Sequence, residues 1–307
     1  MRVFVTGGTG LVGSVLARRL TERGDSVVLL TRRPDHAKQT ADKKSTVVAG
    51  DPTQAGPWMD AINDCDAVVN LAGEGIFNRR WWSAFKQLLR DSRILSTQNV
   101  VAALAQQPRR ADGSPKVLVN ASAIGWYGPH GDEELTEDAI PGSDFMAELC
   151  IDWEKAATAA QQHGVRVVIV RVGVVLAQEG GALTKMLTPF KMFVGGPVGS
   201  GRQFMSWIHI DDLVGQILFA LDHANVAGPL NGTAPNPVTN KEFSKALGRV
   251  LHRPSFLKTP GFVLRVALGE VANVVTKGQR VLPRKALQAG YHFEFTEVEA
   301  ALRDVLQ

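Results

Sequence analysis

A glycine turn near the start of the chain carries the clearest chemistry. Thr6-Gly7-Gly8-Thr9-Gly10-Leu11-Val12-Gly13 follows a largely apolar, β-branched run over residues 2–5 and precedes a stretch with helical apolar spacing. This order reads as strand, turn, helix. The glycines fit a dinucleotide fingerprint as Gly8-x-Gly10-x-x-Gly13, and also a wider form in which Gly7, Gly10 and Gly13 are evenly spaced. In such a turn one glycine permits the tight bend, one lets the backbone approach a pyrophosphate and one lets helix and strand pack closely. A helix beginning near Leu11 points unpaired N–H groups and its positive dipole end at the phosphates. Gly7, Thr9, Gly10, Leu11, Val12 and Gly13 are therefore the expected phosphate cradle. The alternative is a glycine turn that packs and binds nothing.

The run Val27-Val28-Leu29-Leu30 ends in Thr31-Arg32-Arg33. A site for NAD usually carries Asp or Glu there to hold the ribose 2′-hydroxyl, whereas Arg suits a 2′-phosphate. The Arg32 guanidinium offers a planar fork of donors matched to phosphate, and Thr31 adds a hydroxyl. NADP(H) is thus favoured over NAD(H). Solvated loop arginines remain the alternative reading.

These residues must be positioned by alternating strands and helices. Val47–Ala49 ends in Gly50-Asp51, Ala67–Leu71 ends in Ala72-Gly73-Glu74, and further strands are expected at Lys116–Ala121 and Val165–Arg171. Helical patterns run from about Trp81 to Gln106 and from about Asp144 to His163. The series predicts an α/β Rossmann fold: a doubly wound parallel sheet with a smaller C-terminal substrate lobe. Ligands bind beyond the carboxyl ends of such strands. Asp51 is expected by the adenine edge, the Leu71-Ala72-Gly73 backbone against the cofactor ribose, and Glu74 and Ser122 among the other cofactor-binding residues. Asp51 reads equally as a turn residue before Pro52. The dinucleotide domain is expected over residues 1–177 with later elements from about 205–232, interleaved with a substrate region over 178–307.

The chain has 307 residues, 45% apolar, with 34 Lys and Arg against 30 Asp and Glu, a net charge of +4. That is ample for a core and too mildly basic to imply nucleic acid. Cys65 and Cys150 stand in no metal-ligand spacing, and no apolar run of eighteen or secretory pattern occurs. A cytoplasmic protein with no metal and no membrane partner is expected. The glycine turn lies so close to Met1 that a cleaved leader is not expected either.

The turn, the strand end Asn70-Leu71-Ala72-Gly73, the segment Ser122…Trp126-Tyr127-Gly128 and Trp207-Ile208-His209-Ile210-Asp211-Asp212-Leu213 together resemble the extended short-chain dehydrogenase/reductase family. Asp91-Ser92-Arg93, Gly180–Leu183, Gly199–Gln203 and Thr233–Thr239 are similar to its atypical YfcH-like branch, often described as sugar-nucleotide epimerases. Residues 255–303, around Gln279–Pro283, resemble that branch's small C-terminal domain of unknown function. The resemblance implies NAD(P)-linked hydride chemistry, a Ser or Thr holding the substrate oxygen, and a Tyr-x-x-x-Lys pair exchanging the proton. This chain departs from it. Counting back from Glu154 puts Met146 in the tyrosine position and Cys150 in the lysine position, and the only tyrosines are Tyr127 and Tyr291. The expected serine position holds Ala123, with Ser122 beside it. Ser122 and Tyr127 are the remaining catalytic candidates; local backbone capping by Ser122 and packing by Tyr127 are the alternatives. Cys150 reads as a buried small hydrophobe.

Arg202, in the loop Gly199–Gln203, and Trp126 are candidates for a small, anionic substrate. His209, Asp211 and Asp212 read as a helix cap and a core histidine rather than a metal site. Arg79-Arg80-Trp81-Trp82 reads as packing tryptophans and solvated arginines. Phe262–Val275 is apolar nearly all round, which suggests a buried helix or a contact with another chain, and so leaves a homodimer open. Two functions remain: an NADP-dependent oxidoreductase or epimerase with a rearranged site, and a catalytically quiet NADP(H)-binding sensor or scaffold.

Overall fold

The computed structural model describes residues 1–35, 37 and 45–307. Its centre is a parallel sheet of seven strands. In chain order these are β1 (Arg2–Thr6), β2 (Ser26–Thr31), β3 (Ser45–Ala49), β4 (Ala67–Asn70), β5 (Val117–Ala123), β6 (Arg166–Val172) and β7 (Gly228–Gly232). Across the sheet they run β7-β6-β5-β4-β1-β2-β3. The order reverses beside β1, between β4 and β2, which is where a doubly wound sheet opens its ligand crevice.

Among the described residues, the helices of eight or more residues are α1 (Leu11–Glu22), α2 (Ser83–Gln106), α3 (Phe145–Thr158), α4 (Gly181–Lys191), α5 (Ile210–Asp222), α6 (Asn240–Leu251), α7 (Gly261–Leu268) and α8 (Val298–Leu306). Strand alternation builds two cores. Val3, Val5, Val27 and Leu29 face α1 and α5 through Leu16, Leu20 and Ile217. Phe4, Val28 and Leu30 face the opposite layer with Trp58, Val100 and Leu104. Each fully buried Leu or Val contributes roughly 1.5–3 kcal/mol relative to exposure. The smaller lobe has its own core, in which α4, α6 and α8 pack Leu187, Phe243 and Leu302 around Trp207.

The lobe is laced back to the sheet. Glu134–Leu135 pairs with Arg280–Val281, and the buried Glu137 carboxylate accepts N–H bonds from Asn231 (3.0 Å) and Lys285 (3.2 Å). Three segments differ from what their local sequence suggests. Gly228–Gly232 is a strand, the sheet's edge beside β6, despite its glycines and proline. Tyr291–Phe295 is irregular, because Asp212 captures the N–H groups of Glu294 and Phe295 (2.9 Å each) that a strand would spend on a neighbour. Phe262–Val275 is no single buried helix: Gly269, at φ +66°, breaks it, and α7 buries none of its side chains.

Candidate cofactor and active site

The glycine turn takes the evenly spaced form. Gly7 sits at φ +66°, and a Cβ there would lie 2.8 Å from the Leu71 carbonyl, so only glycine lets the turn rest on the end of β4. A Cβ on Gly13 would strike the Gly7 carbonyl oxygen. Helix α1 then starts with Gly10 as its N-cap, with no side-chain cap and no acid in its first turn. Its leading N–H groups have no intrahelical acceptor and face the crevice. Thr9 and Gly10 are exposed, and Leu11 and Val12 are half-buried. That arrangement fits a pyrophosphate.

At the end of β2, buried Thr31 accepts the Arg33 N–H at 3.1 Å, which shapes the bend and presents Arg32 to solvent. Asp51 Oδ1 accepts both the N–H (2.9 Å) and the hydroxyl (2.7 Å) of Thr53, the turn reading of that residue. Leu71, Ala72, Gly73 and Glu74 follow directly from β4 as irregular backbone. Glu74 is fastened by its N–H to Ser92 (3.0 Å) and by its carbonyl to Arg93 (2.9 Å).

A buried polar lattice beneath the crevice escaped the sequence reading. Thr6 donates to Asn70 (2.6 Å), Asn70 to Asn120 (2.6 Å) and Thr97 (2.9 Å), and Trp153 to Thr97 (2.9 Å). It ties the ends of β1 and β4 and the middle of β5 to α2 and α3. Such buried groups hold position only when fully paired, and the clue was a polar residue in each apolar strand.

Ser122 is buried at the end of β5 and donates to Glu154 Oε1 at 2.6 Å. Arg171 clamps the same carboxylate through Nε and Nη2, both at 2.9 Å. Glu154 had served only as a counting mark and Arg171 only as a strand end; a charged residue closing a buried apolar strand was the signal for the pair. Half-buried Trp126 covers the Arg171 guanidinium at 3.5 Å from its ring centroid. Tyr127 is fully buried: its hydroxyl donates to Asn231 (2.7 Å) and accepts from Arg171 (3.1 Å). Burial pushes its pKa up, against the pull of the Arg171 charge.

Met146 and Cys150 lie on the face of α3 beside Gly125, where a Cβ would meet Met146 at 3.3 Å and the Cys150 sulfur at 3.9 Å. Burial pushes the Cys150 thiol up to about 12. Neither residue can trade protons near neutral pH. Arg202 is exposed in a loop tied to α6 through Asn240 and Lys241, and its described contacts do not reach the strand ends. The cap of α5 is His209, whose Nδ1 accepts the Asp211 N–H (3.2 Å), not an aspartate. His209 Nε2 pairs with Asp304 (3.1 Å), so of the three groups close enough to hold a metal, His209, Asp211 and Asp304, the histidine already spends both ring nitrogens on hydrogen bonds. Trp81 is buried against Phe145, whereas Trp82 is exposed.

Comparisons with known proteins show the family. Residues 3–231 match the model of the NAD dependent epimerase/dehydratase family, and residues 259–305 match a domain of unknown function, DUF1731. The chain is 43% identical over 310 residues to the chloroplastic epimerase family protein SDR39U1 homolog of Arabidopsis thaliana, covering 100% of this chain and 87% of that protein. It is 39% identical to epimerase family protein YfhF of Bacillus subtilis, covering 100% and 98%. Among solved structures, human epimerase family protein SDR39U1 with NADPH superposes with a TM-score of 0.85 at 37% identity, covering 99% of each chain. The chain belongs to the NAD dependent epimerase/dehydratase family and carries a C-terminal DUF1731 domain.

Proposed function

We propose that this protein is an NADP(H)-dependent oxidoreductase of the short-chain dehydrogenase/reductase type acting on a small, anionic molecule. The observation that carries the cofactor reading is Arg32, exposed at the end of β2 with no acid beside it. The phosphate cradle of α1 and the NADPH in the human relative support it. When bound, the cofactor supplies hydride to, or takes it from, a carbon held against its ring.

The chain's own residues orient that carbon. Ser122 donates a hydrogen bond to Glu154, which leaves its oxygen lone pairs free to accept a hydrogen bond from a substrate hydroxyl. Arg171 fixes Glu154, and Trp126 shields the pair from water. A proton leaving the substrate oxygen would pass to Ser122 as the serine proton moves to Glu154, a relay in place of the absent tyrosine and lysine. Tyr127 is spent on Asn231 and carries no step. Sugar-nucleotide epimerisation by the tyrosine route is not part of this reading.

The test is a screen of small hydroxy- and keto-acids that follows the nicotinamide absorbance, with Ser122→Ala alongside. A substrate turned over with kcat lowered about 100-fold in the variant supports the relay. Turnover unaffected by Ser122→Ala contradicts it. Met146 and Cys150 in the proton-transfer positions favour a second reading, a quiet NADP(H)-binding sensor. It predicts tight cofactor binding and no turnover with any member of the screen.

A further inference from the structure

We propose that the face formed by α7 and the loop after α4 docks this protein on an anionic membrane surface. Of the sixteen exposed large apolar residues among those described, ten fall in 192–194 and 256–274. The two stretches are neighbours. Arg253 lies over the Phe193 ring at 4.5 Å, Val198 pairs with Thr259, and the Thr259 N–H donates to Pro197 at 2.9 Å. Two residues further on, α7 begins.

Helix α7 presents Phe262 and Val266, one turn apart, at 70% and 75% exposure. None of the side chains of α7 is buried, so that stripe stands open to solvent. Phe256 stands out at 75% as well. A soluble surface scatters such residues singly; a contiguous set marks an interaction face.

Charge selects the partner. Residues 250–269 contain three Lys or Arg (Arg253, Lys258 and Arg265) and no Asp or Glu, and residues 180–210 contain three and none. Lys191, Lys258 and Arg265 flank the apolar residues directly in sequence. The nearest acid, Glu270, is paired with Lys86 at 2.6 Å. At the far end of α7 the Arg80 guanidinium lies against Gly269 and adds a further positive charge. Basic residues around an apolar insert are the chemistry of the headgroup layer.

A second copy of the chain is disfavoured, because a two-fold contact would set this basic face against itself. A protein partner would meet a surface whose apolar side chains stand clear of their neighbours. An acyl layer accepts such side chains without shape complementarity. The occupant is therefore a lipid surface bearing negative headgroups, bound peripherally.

Vesicle flotation of the whole chain tests this. With phosphatidylcholine vesicles containing about a third phosphatidylglycerol, the floated fraction should exceed that with phosphatidylcholine alone about tenfold, and should fall in high salt. A Phe262→Ser/Val266→Ser variant that melts at the same temperature as the parent should lose about tenfold in partitioning. Lys258→Glu/Arg265→Glu should lose it on anionic vesicles. Absence of flotation at every composition overturns the proposal, as does equal flotation of parent and Phe262→Ser/Val266→Ser. Binding to an acidic polypeptide with vesicles left free, or a dimer that the same variant dissolves, also overturns it.

Discussion

Ser122 and Glu154 are joined by a 2.6 Å hydrogen bond that fixes the end of β5 to α3. Arg171, from the neighbouring strand β6, completes the group, and the Arg171 and Glu154 side chains are 4% and 12% exposed. An ion pair so enclosed contributes modestly as a pair but leaves an uncompensated charge when halved. Glu154→Ala should therefore cost about 3–5 kcal/mol in denaturant unfolding. Ser122→Ala, which keeps the ion pair, should cost only about 1 kcal/mol. Equal costs for the two variants would show that the pair is not structural.

Tyr127 should matter to stability and not to proton transfer. Tyr127→Phe leaves the Asn231 amide oxygen without its 2.7 Å donor in a dry site, a loss of about 1–3 kcal/mol. Dinucleotide affinity should stay within about twofold of the parent by calorimetry, since a change that small is below about 0.4 kcal/mol. A large fall in affinity with little change in stability would put the phenol in the cofactor site instead.

Both cysteines should be silent toward thiol reagents in the native protein. Burial raises Cys65 to about 11 and Cys150 to about 12, and reaction requires an accessible thiolate. At neutral pH a chromogenic disulfide should label neither until denaturant is added. Fast labelling of one thiol in the native state would reopen Cys150 as a chemical group.

Acid should weaken the fold through Asp25. Burial disfavours its charge, but the terminal ammonium (2.6 Å) and Arg23 more than compensate and hold its pKa below the usual carboxylate range. A depressed folded pKa stabilises the protein above the unfolded value of about 3.9, and that contribution is lost as pH falls through the folded value. Asp25→Asn should therefore be less stable than the parent at neutral pH. The gap should close below about pH 4. A gap independent of pH would contradict the assignment.

The legible parts of this molecule were local. Gly7 and Gly13 announce a tight strand-to-helix turn because each works through its own backbone, and the strands β1 to β6 announce themselves as apolar runs. Strand β7 was obscured because Gly228 and Pro229 contradict its propensity and only pairing with β6 makes it a strand. The clamp of Ser122, Glu154 and Arg171 was hidden because its members come from three elements, 17 and 32 residues apart in sequence. The break of the Phe262–Val275 pattern at Gly269 shows the opposite fault: hydrophobic periodicity reports an apolar surface, not what covers it.

The backbone constraint at the turn is sharply testable. Gly7→Ala meets both a positive φ and the Leu71 carbonyl, whereas Gly131→Ala meets nothing within 4 Å. The first should cost about 1–2 kcal/mol or more and abolish dinucleotide binding. The second should change neither property.

The most direct measurement of the cofactor reading is calorimetric titration of the purified protein with NADPH, NADH and their oxidised forms, with Arg32→Ala alongside. The account predicts NADPH binding tighter than NADH by about tenfold or more, about 1.4 kcal/mol, and a preference that disappears in Arg32→Ala. Equal affinity for the two reduced dinucleotides, unchanged by the substitution, would contradict it.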